Sequence, residues 1–139
     1  MLESEIMQYL DSEIESITFD ESGATGNIFD NSLPSEPDKA VMIENTGGLA
    51  QDMRRTSYQN VNYRILVRGT QDPRVARDLA VEVSDTIGTF GEGSFVENGV
   101  YIVKCQTMQP KPVNIGQDDN NRHRFSINLE LRIKKESDQ

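Results

Sequence analysis

The sequence predicts an α+β protein, in which two helices pack on one face of a mostly antiparallel sheet of four to five strands, with long polar loops between the elements. Three patterns in the chain lead to this fold class. Apolar residues recur every three to four positions in two segments, as on one face of a helix. They alternate with polar residues in other segments, as in strands with one buried face. An Asn-Gly pair lies between two short apolar runs, which is a strong hairpin signal.

The first predicted helix covers residues 1–17 and is amphipathic and acidic. Its narrow apolar stripe consists of Leu2, Ile6, Leu10 and Ile14. The second predicted helix opens at Asp72-Pro73, because aspartate is a good N-cap and proline is favoured at the first helical position. Its stripe consists of Val75, Leu79, Val83 and Ile87, and Gly91 is the predicted stop.

The strands are predicted from alternation and from short apolar runs. Residues 61–67 and 123–133 alternate over their whole length, whereas residues 40–44 form a brief apolar run. Residues 95–96 and 100–103 flank the Asn98-Gly99 turn. Residues 20–38 are turn-like, and within them Ile28-Phe29 fits a short edge strand. Residues 109–121 are predicted to form a long polar loop, which is a length typical of functional or disordered segments.

The chain has 139 residues, and we expect residues 1–139 to form a single domain. Its formal net charge is -9, but residues 1–53 hold 12 acidic residues and one basic residue, whereas residues 54–139 have a net charge of +2. This balance argues against a nucleic-acid-binding protein. It favours a protomer that places an acidic region against a neighbour's basic region, although acidic residues that only keep the protein soluble explain it equally well.

Few residues in the chain are suited to catalysis or metal binding. Cys105 is the only cysteine and His123 the only histidine, so an intrachain disulfide, a zinc site or a histidine pair cannot be assembled. We therefore expect no enzymatic activity and no cofactor or metal. No apolar run is long enough to span a membrane, and the acidic N-terminus is unlike a signal peptide. The protein is expected to be soluble and made in a reducing cytoplasm.

Arginines are concentrated in or beside the two best strands. Arg64 and Arg68 share one strand face, and Arg122, Arg124 and Arg132 share another. If the two strands pair, a basic stripe crosses one side of the sheet. Aromatic residues would accompany such a stripe in a protein that binds single-stranded nucleic acid, but here they point to the opposite face. The stripe fits an acidic protein surface better, with an ordinary solvated face as the alternative.

Several of these segments, in this order and spacing, resemble the minor capsid and tail-terminator family of long-tailed bacteriophages. The similar segments are Lys39–Gly48, Tyr58–Gly69, the helix start near Asp72, Gln109-Pro110, Gly116–Asp118 and Arg122–Leu129. The resemblance covers residues 38–134. The acidic helix 1–17 and the tail 135–139 lie outside it.

The resemblance implies a structural virion protein made in the host cytoplasm. Members of such a family cap the head-proximal end of the tail tube as a homo-hexameric ring, stop tube polymerisation and offer a surface for head joining. The implied partners are other copies of the chain, the tail tube protein and the head–tail connector protein, with no cofactor, no membrane and no sequence-specific nucleic acid. The expected contact residues are Arg54, Arg55, Arg64, Arg68, Asp118, Asp119, Arg122 and Arg124, on the expectation that the loop charges among them are exposed.

Two other functions remain open from the residues alone. The first is another ring protein of the phage neck or head-completion machinery, which differs only in its position in the virion. The second is an acidic DNA mimic that inhibits a host enzyme, which the net charge of -9 favours. The crowding of the carboxylates into the first third of the chain argues against an evenly spaced, duplex-like array.

Overall fold

The computed structural model describes residues 2–20, 26–47, 58–88, 90, 95–97 and 100–135. These residues form two helices and seven strands. In chain order they are α1 (Leu2–Glu13), β1 (Ile28–Asp30), β2 (Ala40–Gly47), β3 (Tyr58–Arg68), α2 (Pro73–Ile87), β4 (Phe95–Glu97), β5 (Val100–Thr107), β6 (Val113–Gln117) and β7 (His123–Lys135).

The described strands belong to one sheet with the order β1-β2-β3-β7-β5-β4, and β6 also pairs with β7. All pairings are antiparallel except that of β1 with β2, which is parallel. The central strand, β7, pairs along its whole length with β3 on one side. On its other side it pairs with β6 near its start and with β5 near its end. The predicted α+β class, with two helices on a mostly antiparallel sheet, is therefore confirmed.

The core lies between the helices and one face of the sheet. Side chains alternate along a strand, and the alternate positions of β3 and β7 that face the helices are apolar or aromatic in the middle of the sheet. The buried core side chains from β3 and β7 are Tyr63, Ile65, Val67, Ile127, Leu129, Leu131 and Ile133. Those from the helices are Ile6, Met7, Leu10, Leu79, Ala80, Val83 and Ile87. Of the predicted stripes, Ile6, Leu10 and Ile14 of the first and Leu79, Val83 and Ile87 of the second are thus buried in the core, whereas Val75 is half-buried.

The start of α2 is fixed by a cap and by a close approach to β3. The carboxylate of Asp72 accepts a hydrogen bond from the backbone N–H of Arg74 at 3.0 Å, as the N-cap prediction requires. Gly69, just after β3, lies so near the helix that an added Cβ would be 2.6 Å from the backbone nitrogen of Ala76. Glycine at this position therefore allows the chain to turn directly from the sheet into the helix.

The structure differs from the sequence prediction at several element boundaries, and β2, β3 and β5 are each longer than predicted. The helix α1 ends at Glu13 instead of residue 17, although Ile14 and Ile17 continue into the core. The helix α2 ends at Ile87, with Gly88 as its C-cap, before the predicted stop. Part of the predicted loop 109–121 is the strand β6, whose five residues are all exposed and which is held by backbone pairing with β7. Val113 and Ile115 do alternate with polar residues, but the run is short and is flanked by Pro110, Pro112 and Gly116, which indicate a loop.

The turn predicted at Asn98-Gly99 and the helix stop at Gly91 lie outside the described residues. The strands on either side of that turn, β4 and β5, pair with each other as the hairpin prediction expects.

Candidate protein-interaction surfaces

The face of the sheet opposite the helices is polar, and we call it the polar face. It carries the side chains of β3 and β7 that alternate with the core positions. In the β3–β7 register Arg68 lies opposite Arg124, Arg64 opposite Asn128, and Asn60 opposite Arg132. The two predicted strands therefore pair, and their arginines lie on one side of the sheet as expected.

The half of the polar face around the start of β3 is open and basic. Both Arg132 and Lys134 lie over the ring of Tyr58, at 5.1 Å and 5.7 Å from its centroid. The guanidinium of Arg132 also donates to the side-chain oxygen of Asn60 at 3.1 Å. These contacts order long basic side chains on an accessible surface. Nearer the middle of the sheet, Arg64 forms an ion pair with Glu44 of β2.

Three buried polar atoms on this face have no hydrogen-bond partner within the described residues. They are Oδ1 of Asn62, Nε of Arg64 and Nε of Arg124. A buried donor or acceptor without a partner costs about 1–3 kcal/mol. All three atoms are enclosed by neighbouring side chains, so they are an internal cost of the polar face and not part of its accessible surface.

The other half of the polar face is covered by residues 31–39, which connect β1 to β2 and which we call the crossover segment. Arg68 is 3% exposed, and it donates from Nε to the carbonyl oxygen of Asp38 at 3.0 Å and from Nη2 to that of Pro37 at 2.5 Å. Burial, and then the positive charge of Arg122, lower the pKa of Arg68 from its ordinary value. The side chain of Arg68 therefore serves inside the protomer, where it holds the crossover segment on the sheet.

Arg122 holds the same segment from the turn between β6 and β7. It is 6% exposed, and Nη1 donates to the carbonyl oxygen of Ser35 at 2.6 Å and to Asp38 at 3.2 Å. Its Nε donates to Oδ2 of Asp118 at 2.8 Å. The expectation that Arg122 is an exposed loop charge is therefore wrong, because its guanidinium is buried and hydrogen-bonded to groups of the same chain.

Asp118 is the anionic centre of this turn. Its carboxylate accepts hydrogen bonds from the backbone N–H groups of Asn120 and Arg122, both at 2.9 Å, as well as from the guanidinium of Arg122. Burial alone would raise the pKa of Asp118, but these hydrogen bonds and the positive charge of Arg122 outweigh it and hold the pKa below its ordinary value. Asp119, the next residue, is exposed.

The structure thus separates the predicted contact residues into three groups. Asp119 is exposed, Arg64, Arg124 and Asp118 are half-buried, and Arg68 and Arg122 are buried. Arg54 and Arg55 lie outside the described residues. Sequence reasoning missed the role of Ser35 and Asp38, because nothing in the pattern connects them with Arg122, more than 80 residues further along the chain.

A second surface, which the sequence did not indicate, lies at the edge of the sheet formed by β5 and β6. We call residues 108–117, which join β5 to β7 through β6, the β6 arm. The exposed large apolar residues of the described chain are Val81, Val103, Met108, Val113 and Ile115. Four of them lie on β5 or the β6 arm. The fifth, Val81 of α2, lines an open groove with Pro110 and Pro112 of the arm.

No described group of three or more histidine, cysteine, aspartate or glutamate side chains is placed to hold a metal ion. The thiol of Cys105 is buried and donates to the carbonyl oxygen of Ile87 at 3.2 Å, which fits the predicted core position. None of the described helices combines the length and the apolar character that crossing a bilayer requires.

Comparisons with known proteins define the class and the family. The family model described as bacteriophage tail terminator protein matches residues 20–135. The chain is therefore a structural component of a bacteriophage virion. It belongs to the bacteriophage tail terminator family, as the resemblance of residues 38–134 predicted.

A solved structure supports the fold. A chain in the virion of a native gene transfer agent particle superposes with a TM-score of 0.61 at 15% identity, over 92% of this chain and 93% of that one. At this identity the likeness is one of fold. Among curated proteins the sequence has no significant match.

Proposed function

We propose that this protein is the tail terminator of a long-tailed phage, which forms a homo-hexameric ring on the head-proximal end of the tail tube. In this role it stops tube polymerisation and provides the surface on which the head's connector protein docks. The observation that carries the proposal is the family match over residues 20–135, which includes every described strand. The gene transfer agent chain of the same fold is itself part of a virion particle, which supports a place in a phage-like assembly.

The polar face supports a role in assembly. It carries basic side chains, Arg132 and Lys134, that are ordered on an accessible surface by Tyr58 and Asn60. Charged surfaces of this kind contribute specificity and association rate more than affinity. We propose Arg64, Arg124 and Asp119 as contacts with the tube protein, the connector or a neighbouring copy. Arg54 and Arg55 remain proposed contacts, and Asp118, Arg68 and Arg122 contribute by holding the contact surface in shape.

Tube growth in vitro tests the function directly. The tube protein of the same phage is polymerised alone and with increasing amounts of this chain, and tube lengths are measured by electron microscopy. A terminator shortens the tubes at a few copies per tube end, because it acts on ends and not on free subunits. Rings visible at one end of each tube, and a hexamer in native mass spectrometry, are the further expected results.

An arginine series tests the proposed contacts. The double variant Arg54→Ala/Arg55→Ala should lose tube capping while its thermal unfolding stays unchanged. Arg74→Ala, an exposed arginine on α2, is the matched control and should cap normally. Tubes of unlimited length in the presence of the unaltered chain would refute the function, whereas normal capping by the double variant would refute only these contacts.

A further inference from the structure

The β6 arm is an accessible apolar and basic projection at one edge of the sheet. Met108 is 52% exposed, and Val113 and Ile115 are also exposed. Residues 100–117, which form β5 and the arm, contain two lysines, Lys104 and Lys111, and no acidic residue, whereas the short strand β4 beside the start of β5 adds Glu97. Clustered exposed apolar residues on a protein of this size mark a contact surface.

The backbone of the arm limits the pairing of its free edge with strands of other chains. Its pairing with β7 is interrupted by a register shift between Asn114 and Gly116, and Gly116 has a φ of +89°. Two prolines, Pro110 and Pro112, precede the strand. Bulges, prolines and lysines are the features that protect sheet edges against aggregation. The apolar side chains of the arm are therefore available for docking, while its backbone resists uncontrolled addition of strands.

The opposite edge of the sheet has an open groove between α1 and β1, whose accessible lining is partly apolar and partly acidic. It has a volume of about 270 Å³ and is lined by Met7, Phe19, Ile28 and Phe29, with Asp20 and Asp30 at its sides. A cavity of about 150 Å³ holds a benzene ring, so this groove has room for one or two aliphatic side chains. We call it the α1–β1 groove.

The charges of the two edges are complementary. Residues 1–30, which form α1, β1 and their connection, contain eight acidic residues and no lysine or arginine. The sheet order places β1 four strand positions away from β5 and β6, about 19 Å at a spacing of about 4.8 Å. The charge imbalance along the sequence therefore becomes a charge separation across the sheet, with an acidic groove at one edge and a basic apolar arm at the other.

We infer that the β6 arm of one copy docks in the α1–β1 groove of the next copy, with its aliphatic side chains in the groove and its one lysine, Lys111, facing the acidic side chains beside the groove. The partner is a second copy of this chain, and the inference rests on the proposed ring. Because donor and acceptor surfaces differ, the contact is heterologous, which is the geometry that closes rings. Ionic attraction across the contact makes it sensitive to salt.

Two variants that each remove one surface give a sharp test. Lys111→Glu/Ile115→Glu changes exposed residues of the arm, and Asp30→Lys reverses an exposed charge beside the groove. Glu82→Lys, a charge reversal on the exposed face of α2, is the matched control, and Arg124→Glu tests the polar face as a rival surface. Circular dichroism and thermal unfolding verify that each full-length variant is folded, and native mass spectrometry measures association.

The head-to-tail contact predicts a specific pattern. The unaltered chain and Glu82→Lys form closed oligomers, and each surface variant alone weakens association by about tenfold or more. An equal mixture of the two surface variants forms a heterodimer, in which the intact arm of the groove variant binds the intact groove of the arm variant. The heterodimer does not grow, because its two unoccupied surfaces are the altered ones. Association by either variant at the unaltered level, no heterodimer in the mixture, or a monomeric unaltered chain up to about 1 mM would each overturn the inference.

Adding the same samples to tube polymerisation separates this inference from the proposed function. Surface variants that associate normally and cap tubes normally refute the arm contact and leave the terminator role in place. An unaltered chain that forms rings through the arm but does not limit tube length refutes the terminator role and leaves the contact in place.

Discussion

Replacing Arg122 by methionine should destabilise the protein, because Arg122 is buried and holds the crossover segment to the β6–β7 turn. Methionine keeps much of the buried aliphatic stem, so the substitution mainly removes the guanidinium. The hydrogen bonds to Ser35, Asp38 and Asp118 are lost together, and the crossover segment loses its attachment to the β6–β7 turn.

The magnitude follows from the burial of each partner. Removing one member of a fully buried ion pair costs about 3–5 kcal/mol. The side chain of Asp38 is 57% exposed, so the loss of its ion pair with Arg122 contributes little to the destabilisation. Asp118 keeps its two backbone hydrogen bonds and part of its contact with solvent. We therefore expect a loss of about 2–4 kcal/mol in the free energy of unfolding, which lowers Tm by roughly 10 °C.

Urea unfolding followed by circular dichroism measures this loss, with Arg124→Met as the matched control. Arg124 lies two residues away and makes one hydrogen bond, to the carbonyl oxygen of Gln117 at 3.1 Å. Its replacement should cost less than about 1 kcal/mol. Hydrogen exchange in residues 31–39 should rise in the Arg122 variant only. Equal stability of the two variants would refute the assignment of Arg122 to the interior of the protomer.

Three further substitutions test other parts of the structure by urea unfolding. The pKa of Asp118 is lowered in the folded state, so its contribution to stability is present above the ordinary value of 3.8 and is lost as the pH falls below it. The difference in free energy of unfolding between the unaltered chain and Asp118→Asn should therefore be constant from pH 7 to pH 5 and smaller at pH 3. The same difference at pH 3 as at pH 7 would contradict this. Ile65→Ala leaves a cavity at a fully buried position and should cost about 2–5 kcal/mol, and a loss below about 1 kcal/mol would place Ile65 outside the core. Gly69→Ala forces Cβ against the backbone of Ala76 and should cost about 1–3 kcal/mol, whereas Gly88→Ala, which meets only ordinary contacts, should change stability by less than about 1 kcal/mol.

The elements that bury an apolar face were predictable, because burial imposes a period on the sequence. The strands β3 and β7 and the helix α2 follow their periods almost without exception, and the structure has them at the predicted places. The strand β6 escaped prediction because it buries no face, and its stability comes from backbone pairing that any sequence can make.

The candidate surfaces were predictable only in part. Alternation placed Arg64, Arg68 and Arg124 on one side of the sheet correctly. Alternation does not reveal what covers that side, however, and the crossover segment covers Arg68. The contacts of Arg122 with Ser35 and Asp38 depend on tertiary structure, since they join residues more than 80 positions apart.

The position of β7 connects the fold to assembly. It is the central strand, and it alone joins the β1–β2–β3 part of the sheet to β5 and β6. The α1–β1 groove and the β6 arm therefore acquire their relative position only when β7 pairs on both sides. Pairing of β7 with β3 joins residues from 56 to 76 positions apart in sequence, and such contacts form slowly because a long loop must close first. In the proposed head-to-tail contact, a protomer with an incomplete sheet would not present the arm and the groove at the spacing that the next copy requires. We therefore expect association through both surfaces to select chains that have finished folding.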